Sequence, residues 1–381
     1  MIQLKDICDI YDCPHTTAKD EGKGYPLVRT PNVGKGRLLL NGIHRVSEEV
    51  YNSRNSRAIP EEGDIILARE APVGNAALII PGQRVCLGQR VVLIKPKREL
   101  ADPHFLTYYL LSTEVQHRLK NQANGAVVAH LNVSDIRNLS VTLPNIDEQI
   151  AIGKILKSID DKIELNRQIN DNLEKELQAI YLEYFDDTST TNLGDVVKTT
   201  SGGTPSRSHP EYYGGEHKWV KSKELCGSFL INTEETITTT AISKSAAKLL
   251  PEKSILIAMY GATVGEYAII AERMTCNQAI CALIPNEDYP YTYLYMVAKN
   301  KKEELINSAI GSAQQNISQV LIRNIEISSN INKIKEFHQV AVPYFEIIEN
   351  NQKENTTLNS IRDIVLAKLM SGELKINDLD C

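Results

Sequence analysis

The sequence lacks every common signature of a self-contained catalyst. It has no Gly-x-x-x-x-Gly-Lys-Ser/Thr phosphate loop, no Gly-x-Ser-x-Gly nucleophile elbow, no Gly-x-Gly-x-x-Gly dinucleotide fingerprint and no His-Glu-x-x-His pair. The seven cysteines (Cys8, Cys13, Cys86, Cys226, Cys276, Cys281 and Cys381) are odd in number and contain no Cys-x-x-Cys. That pattern argues for reduced cytosolic thiols over a disulfide framework or a zinc site. The start, Met1-Ile2-Gln3-Leu4-Lys5-Asp6, has no basic n-region or apolar h-region, so no secretory leader is expected. No apolar run approaches the roughly 18 residues of a membrane span, so a cytoplasmic chain without membrane contact is expected. Basic charge is also short: 42 Lys and Arg face 48 Asp and Glu, a net charge of -6. At face value this disfavours a phosphate-rich partner.

What is present is a repeat. The 381 residues, 42% hydrophobic and 24% charged, suit two or three domains. Val28-Arg29-Thr30 returns as Val220-Lys221-Ser222. Ile65-Ile66-Leu67-Ala68 with Val73-Gly74 returns as Ile255-Leu256-Ile257-Ala258 with Val264-Gly265. Gln89 matches Gln278, and Gly125 with Ile136-Arg137-Asn138 matches Gly311 with Ile322-Arg323-Asn324. The offset drifts from 192 to 185 without jumps, as expected of a tandem duplication and not of chance matches. The first part of each copy, 1–146 and 189–331, has short β-branched runs bounded by Gly, Pro and Asn, with helical stretches such as Leu106 to Lys120. This predicts an α+β globular domain.

The second part of each copy, 147–188 and 332–381, predicts a long helix. Ile152, Leu156, Ile159, Ile163, Asn166, Asn170, Leu173, Leu177, Ile180 and Tyr184 keep unbroken 4-3 spacing, which places them on one stripe. The second stripe is Phe337, Ala341, Tyr344, Ile348, Asn351, Asn355, Leu358, Arg362, Val365 and Leu369. At 1.5 Å per residue the first helix spans roughly 57 Å, too long for one small domain. Antiparallel pairing would set Asn166 against Asn355 and Asn170 against Asn351, a polar layer that fixes register. A solvated Asn-rich face is the alternative. Pro343 is expected to kink the second helix or delay its start.

This layout resembles the specificity subunit of type I restriction-modification enzymes, and the resemblance covers essentially the whole chain. The run Leu143-Pro144-Asn145-Ile146-Asp147-Glu148-Gln149 looks like the family's Leu-Pro-x-x-x-Glu-Gln lead into the first helix. Gly203-Thr204-Pro205-Ser206-Arg207, Tyr212-Tyr213-Gly214-Gly215, Trp219-Val220, Met259 to Gly265, Asn277-Gln278 and the ending Ala367 to Leu374 are similar to family blocks, in order. The second helix departs from the pattern, with Ser328-Ser329-Asn330-Ile331-Asn332 in place of the Pro and Glu-Gln lead. Domain one has Arg69-Glu70-Ala71-Pro72 where domain two has Met259-Tyr260-Gly261-Ala262. The resemblance implies a fold of two tandem α/β target recognition domains separated by two long antiparallel coiled-coil helices. It implies a non-catalytic subunit in which each domain reads half of a bipartite double-stranded DNA site. The helices would act as ruler and docking surface for two methyltransferase subunits. S-adenosylmethionine, ATP and Mg chemistry would sit on those and on motor-nuclease subunits, with no cofactor or metal in this chain. The absence of an Asn/Asp-Pro-Pro-Tyr motif fits that division. A coiled-coil scaffold that binds only proteins, and a self-contained nuclease, are the competing readings.

Base-edge readout needs Arg, Lys, Asn, Gln, Ser or Thr on loops that reach a groove. Domain two offers Thr204, Ser206 and Arg207, then Tyr260 to Thr263, and Gln278. Turn chemistry explains Gly-Gly-Thr-Pro-Ser equally well. Lys221 and Lys223, after a core Trp219, are candidate phosphate clamps. Domain one offers Arg29, Thr30, Asn32, Arg69, Gln89 and Arg90, with an Arg69–Glu70 ion pair as the competing role for Arg69. The loops Asn124-Gly125-Ala126 and Gly311 to Asn316 are either reading loops or helix leads. His130 reads as structural, and Cys276 and Cys281 as buried.

Partitioning the charge reverses its first meaning. Residues 1–146 carry 18 basic and 15 acidic side chains, 147–188 carry 5 and 11, 189–331 carry 13 and 14, and 332–381 carry 6 and 8. The acidity lies mostly in the helices. The near-neutral domains are expected to bind DNA weakly alone, with partners supplying much of the positive charge.

Overall fold

A computed structural model describes residues 2–123, 129–185, 189–309, 316–371 and 373–374. The chain forms two compact units, Met1–Lys162 with Leu358–Cys381, and Ile163–Thr357. The division cuts through both long helices, so each unit owns one globular domain and a half of each helix.

In unit 1 a five-stranded sheet has the order Cys8–Asp12, Val91–Pro96, Ile65–Ala68, Ala76–Leu78, Gly36–Arg37. Its first three pairings are antiparallel and the last is parallel. Unit 2 repeats the order with Lys198–Ser201, Ile280–Ile284, Ile255–Ala258, Tyr267–Ile270 and Phe229–Leu230. Beside each lies a three-stranded sheet: Arg45–Val46, Tyr25–Val28, Cys86–Leu87 in unit 1, and Glu235–Ile237, Tyr213–Val220, Thr275–Cys276 in unit 2.

The central strands are apolar throughout because both of their faces are covered. Successive side chains point to opposite faces. Ile65 and Leu67 join the core under the helices, whereas Ile66 and Ala68 join a second core on the other side. In unit 2 Ile255 and Ile257 separate from Leu256 and Ala258 in the same way. The helical stretch expected at Leu106 to Lys120 is two helices, Pro103–Leu111 and Thr113–Gln122. Ser112 divides them with extended backbone, and its hydroxyl caps the first by donating to the Tyr109 carbonyl at 2.7 Å.

The long helices are Ile146–Tyr184 and Ile331–Ser371. The first is bolted to unit 1 by Gln149, which is buried. Its amide nitrogen donates to the carbonyls of Leu100 (3.2 Å) and Pro144 (2.9 Å), and its oxygen accepts from the Asp102 amide (3.1 Å). Asp102 in turn caps the helix at Pro103–Leu111 by accepting from the Phe105 amide at 2.9 Å. This close approach explains Gly153, where a Cβ would lie 2.7 Å from Asp102 Oδ1. The offset that aligns the two stripes matches Gln149 with Ile334 in the second helix, and Ile334 is buried. The lead residues missing there are replaced by apolar packing.

Pro343 does not delay the second helix, which begins at Ile331 and runs through it. Both Gln339 and Pro343 are exposed, so the helical hydrogen bond lost between the Gln339 carbonyl and the proline nitrogen lies at exposed residues and not in the core. Within unit 2 the helices pair antiparallel. Asn166 Nδ2 donates to Asn355 Oδ1 (3.0 Å) and to Glu354 (2.6 Å), and Asn351 Nδ2 donates to Asn170 Oδ1 (2.7 Å). Within unit 1 Arg362 Nη1 donates to Asp160 at 2.8 Å, and Ile152 and Leu156 share a core with Leu366 and Leu369. The second helix also buries Ile334, Phe345, Glu349 and Leu366, which the 4-3 stripe did not include.

Candidate nucleic-acid interface

Parallel strand pairs build one rim on each domain. In unit 1 Leu27 pairs with Cys86 and Val28 with Leu87, so both strands end together and deliver Arg29 beside Gly88-Gln89-Arg90. The strands come so close that a Cβ on Gly88 would lie 2.4 Å from the Val28 carbonyl oxygen. In unit 2 Trp219 pairs with Thr275 and Val220 with Cys276, delivering Lys221 beside Asn277-Gln278. Each first strand is followed by a 3₁₀ turn, Thr30–Asn32 or Ser222–Glu224. Asn32 Oδ1 accepts from the Arg29 amide at 3.1 Å, and Glu224 accepts from the Lys221 amide at 2.7 Å. Asn32 and Glu224 thus do the same capping work. Asn32 also donates to the Leu39 carbonyl (3.4 Å), and Thr30 is half-buried in the turn.

The other unit 1 candidates form two chains of contacts. Gln89 donates to the His15 carbonyl (2.6 Å), and the His15 ring lies 3.2 Å from Asp12. Asp12 accepts from Arg69 at 2.9 Å, while Arg69 Nε donates to the Leu131 carbonyl at 2.8 Å. The expected Arg69–Glu70 pair does not form: Glu70 pairs instead with Arg90 at 2.8 Å. Past the end of the strand at Ala68 the chain bends at Arg69, and each of the two side chains finds its partner elsewhere. Arg90 remains 62% exposed, at a positive φ of 63°. The Nε of Arg29 is buried without a hydrogen-bond partner among the described residues.

Unit 2 brings its candidates closer together. Thr204 hydrogen-bonds Gln278, and Trp219, buried under the loop, donates to the Gly203 carbonyl at 3.0 Å. Arg207 stacks over the Tyr213 ring at 4.1 Å and makes a two-pronged contact with Glu235 at 2.6 and 3.2 Å. Lys221 bridges Glu235 (2.6 Å) and Glu234 (3.1 Å), and Lys223 reaches Glu234 at 2.7 Å. Hydrogen bonds from Arg207 and then Lys221 pull the Glu235 carboxyl down to about 2. The same bond to Glu235 holds Lys221 above its usual range. The Ser206 hydroxyl bonds that of Ser208 at 2.7 Å. Tyr260, 41% exposed, bridges to Asn316, and Thr263 donates to its carbonyl at 3.2 Å. Met259 is bonded to Ala279, which places the 260–263 turn next to Gln278.

Glu234, Glu235, His15 and Asp12 were not among the residues singled out from sequence, and Tyr213 stood out only as part of a family block, not as a site residue. Folding brings Glu234 to Lys221 across 13 residues and His15 to Gln89 across 74, and no local spacing marks either pairing. The loop residues 124–126 and 311–315 lie outside the described residues. His130 pairs by its backbone with Glu70. Cys276 and Cys281 are buried, and burial pushes both thiols up to about 12. Among the described residues no helix is long and apolar enough to cross a membrane, and no three His, Cys, Asp or Glu side chains gather as a metal site.

Comparison with known proteins agrees with this duplicated architecture. A family model described as the type I restriction modification DNA specificity domain matches residues 1–175 and again 186–360. The type I restriction enzyme MjaIX specificity subunit of Methanocaldococcus jannaschii is 25% identical over 411 residues, covering 99% of this chain and 94% of that protein. The HindI specificity subunit of Haemophilus influenzae is 22% identical, covering 82% and 87%. The crystal structure of a type I restriction-modification S subunit from M. genitalium shares the fold, with a TM-score of 0.56 and 17% identity over 97% of this chain and 95% of that one. The chain belongs to the type I restriction-modification DNA specificity family and carries the family's domain twice.

Proposed function

We propose that the chain is the non-catalytic reading subunit of its complex, with the rim of each globular domain reading one half of a bipartite double-stranded DNA site. The observation that carries this reading is the duplicated rim: two parallel strand pairs that end in polar residues at matching positions, Arg29 with Gln89 and Lys221 with Gln278. In unit 2 Thr204, Ser206, Arg207, Tyr260 and Thr263 belong to the same surface. In unit 1 Arg29, Gln89 and the exposed Arg90 are the contacts, while Asn32 and Arg69 hold the rim in shape. The antiparallel helices act as the ruler, and their acidic surface docks two methyltransferase subunits. S-adenosylmethionine is bound by those subunits, and ATP and Mg by motor-nuclease subunits, all in the cytoplasm.

Lone binding to DNA is weak in this reading, because Arg207, Lys221 and Lys223 are already neutralised by Glu234 and Glu235. Affinity comes with the partners' positive charge. Mapping methylated adenines in the host genome with and without this gene tests it. A gapped two-part motif that disappears with the gene is expected, and Arg207→Ala should alter only one half of it. Methylation with no gapped motif, or cleavage of DNA by the isolated chain with magnesium, overturns the reading.

A further inference from the structure

The two repeats differ where the long helices pack on the globular domain. In unit 2 the junction is solid: Leu177 and Phe345 are fully buried in one core. Phe345 meets Tyr295 edge-on at 5.1 Å and Phe229 at 6.2 Å. The same positions in unit 1 hold charge. The offset that aligns the two helix stripes matches Phe345 with Asp160 and Leu177 with Arg362. The strand ladders equate Phe229, opposite Ile269, with Arg37, opposite Leu78. Tyr108, the repeat counterpart of Tyr295, keeps the ring but donates its hydroxyl to Asp160 at 2.7 Å.

What this exchange opens in unit 1 is a cavity of about 370 Å³, lined by Tyr108, Asp160, Arg362, Leu366, Ala367 and Met370. The exposed Lys35 and Glu114 also lie on its wall. Burial alone would lower the Arg362 guanidinium, but Asp160 and Asp363 outweigh it and keep it charged. Such a partly buried ion pair is rarely a better stabiliser than apolar packing of the same volume. Unit 2 demonstrates that this fold closes the seam with apolar side chains. The hollow in unit 1 is therefore not a packing necessity.

We propose that it is a socket for an aromatic side chain with a polar tip, tyrosine or tryptophan, presented by one methyltransferase subunit. The inference rests on the docking role proposed above. The duplicate identifies the occupant's chemistry, since the fold itself fills the equivalent space with an aromatic ring set edge-on to a tyrosine. In unit 1 the ring comes from outside. Leu366, Ala367 and Met370 supply apolar walls, Arg362 a cationic face, and Lys35 or Glu114 a partner for the polar tip. Aromatic anchors in preformed pockets dominate the energetics of most interfaces.

The test is a titration of the full chain with its methyltransferase subunit, followed by native mass spectrometry. Asp160→Phe with Arg362→Leu copies the filling of unit 2, and Ala367→Trp plugs the hollow from an exposed position, should the double variant fail to fold. The wild-type chain is expected to take up two methyltransferases. Each folded variant, checked by circular dichroism, should lose affinity for one of them at least tenfold, so that complexes with a single methyltransferase accumulate. Folded variants that titrate like the wild type overturn the socket and leave the docking role standing. A wild-type chain that takes up no methyltransferase overturns both.

Discussion

The asparagine layer in unit 2 makes a quantitative demand on the helix pair. Asn166 is fully buried, and its Nδ2 serves two acceptors, Asn355 Oδ1 at 3.0 Å and Glu354 at 2.6 Å. Its own Oδ1 has no partner among the described residues. Asn166→Leu removes the donor that serves both the Asn355 oxygen and Glu354 in the seam, at a penalty of about 1–3 kcal/mol. Removing the unpaired Oδ1 of Asn166 and burying a leucine offsets roughly 1 kcal/mol of that. The single variant should therefore lose up to about 2 kcal/mol, a factor of up to roughly 30 in the opening equilibrium. In Asn166→Leu with Asn355→Leu the Asn166–Asn355 pair is gone from both sides and only Glu354 still lacks its Asn166 donor, so stability should recover in part. Hydrogen exchange of peptides covering residues 163–175 and 350–358 measures these differences. What the double variant weakens is register: with only the Asn170–Asn351 pair left, a slip of one heptad, which moves one helix about 10 Å along the other, costs less. Spin labels at the exposed Gln168 and Lys353 should report one distance in the wild type and a second population in the double variant. Single and double effects that add within about 0.5 kcal/mol, together with one unshifted distance, would refute the reasoning.

Three further outcomes follow from the geometry. Gln149→Leu leaves the Asp102 amide and the Leu100 and Pro144 carbonyls without partners. A loss on the order of 2 kcal/mol, or roughly 4–8 °C in melting temperature, is expected, and an unchanged melting curve would count against the bolt. Glu234→Gln with Glu235→Gln frees Arg207, Lys221 and Lys223, so lone-chain binding to random duplex should tighten. Its logarithmic salt slope should steepen by about 1 to 3, near 0.9 for each cation that gains a phosphate; an unchanged slope means those cations do not face DNA. The Glu235 carboxyl, held at about 2 when folded against a usual 4.5, favours the folded rim at every pH above 4.5, and this contribution fades as pH falls toward 2. Carbon-13 NMR of labelled glutamate should show one carboxyl titrating well below the others, and a midpoint near 4.5 for Glu235 would rule out the network.

How much of this was legible depends on the range over which each feature acts. The duplication, the helix stripes and the pairing of Asn166 with Asn355 are written in periodicity, because a helix face repeats every three or four residues and antiparallel pairing makes the two numbers sum to a constant. Pro343 does not delay the start of the second helix, because it and Gln339, whose carbonyl loses its amide partner, both lie at exposed positions. The break at Ser112 is a local capping choice inside an otherwise helical pattern.

The rims were legible only as positions, not as chemistry. Arg69 stands next to Glu70 in sequence, but a bend past the strand end at Ala68 leaves the two with different partners, Asp12 and Arg90. Arg207, Lys221 and Lys223 read as free cations until folding brings Glu234 and Glu235 onto them from further along the chain. This changes what the rim of unit 2 can do. A surface of free cations would hold any duplex by its phosphates, whereas one whose cations are already neutralised gains little from phosphate by itself, leaving phosphate affinity to the partners and discrimination to specific base contacts. The carboxylates that conceal the DNA-binding character from a charge count are therefore the features that would suppress binding to the wrong sequence.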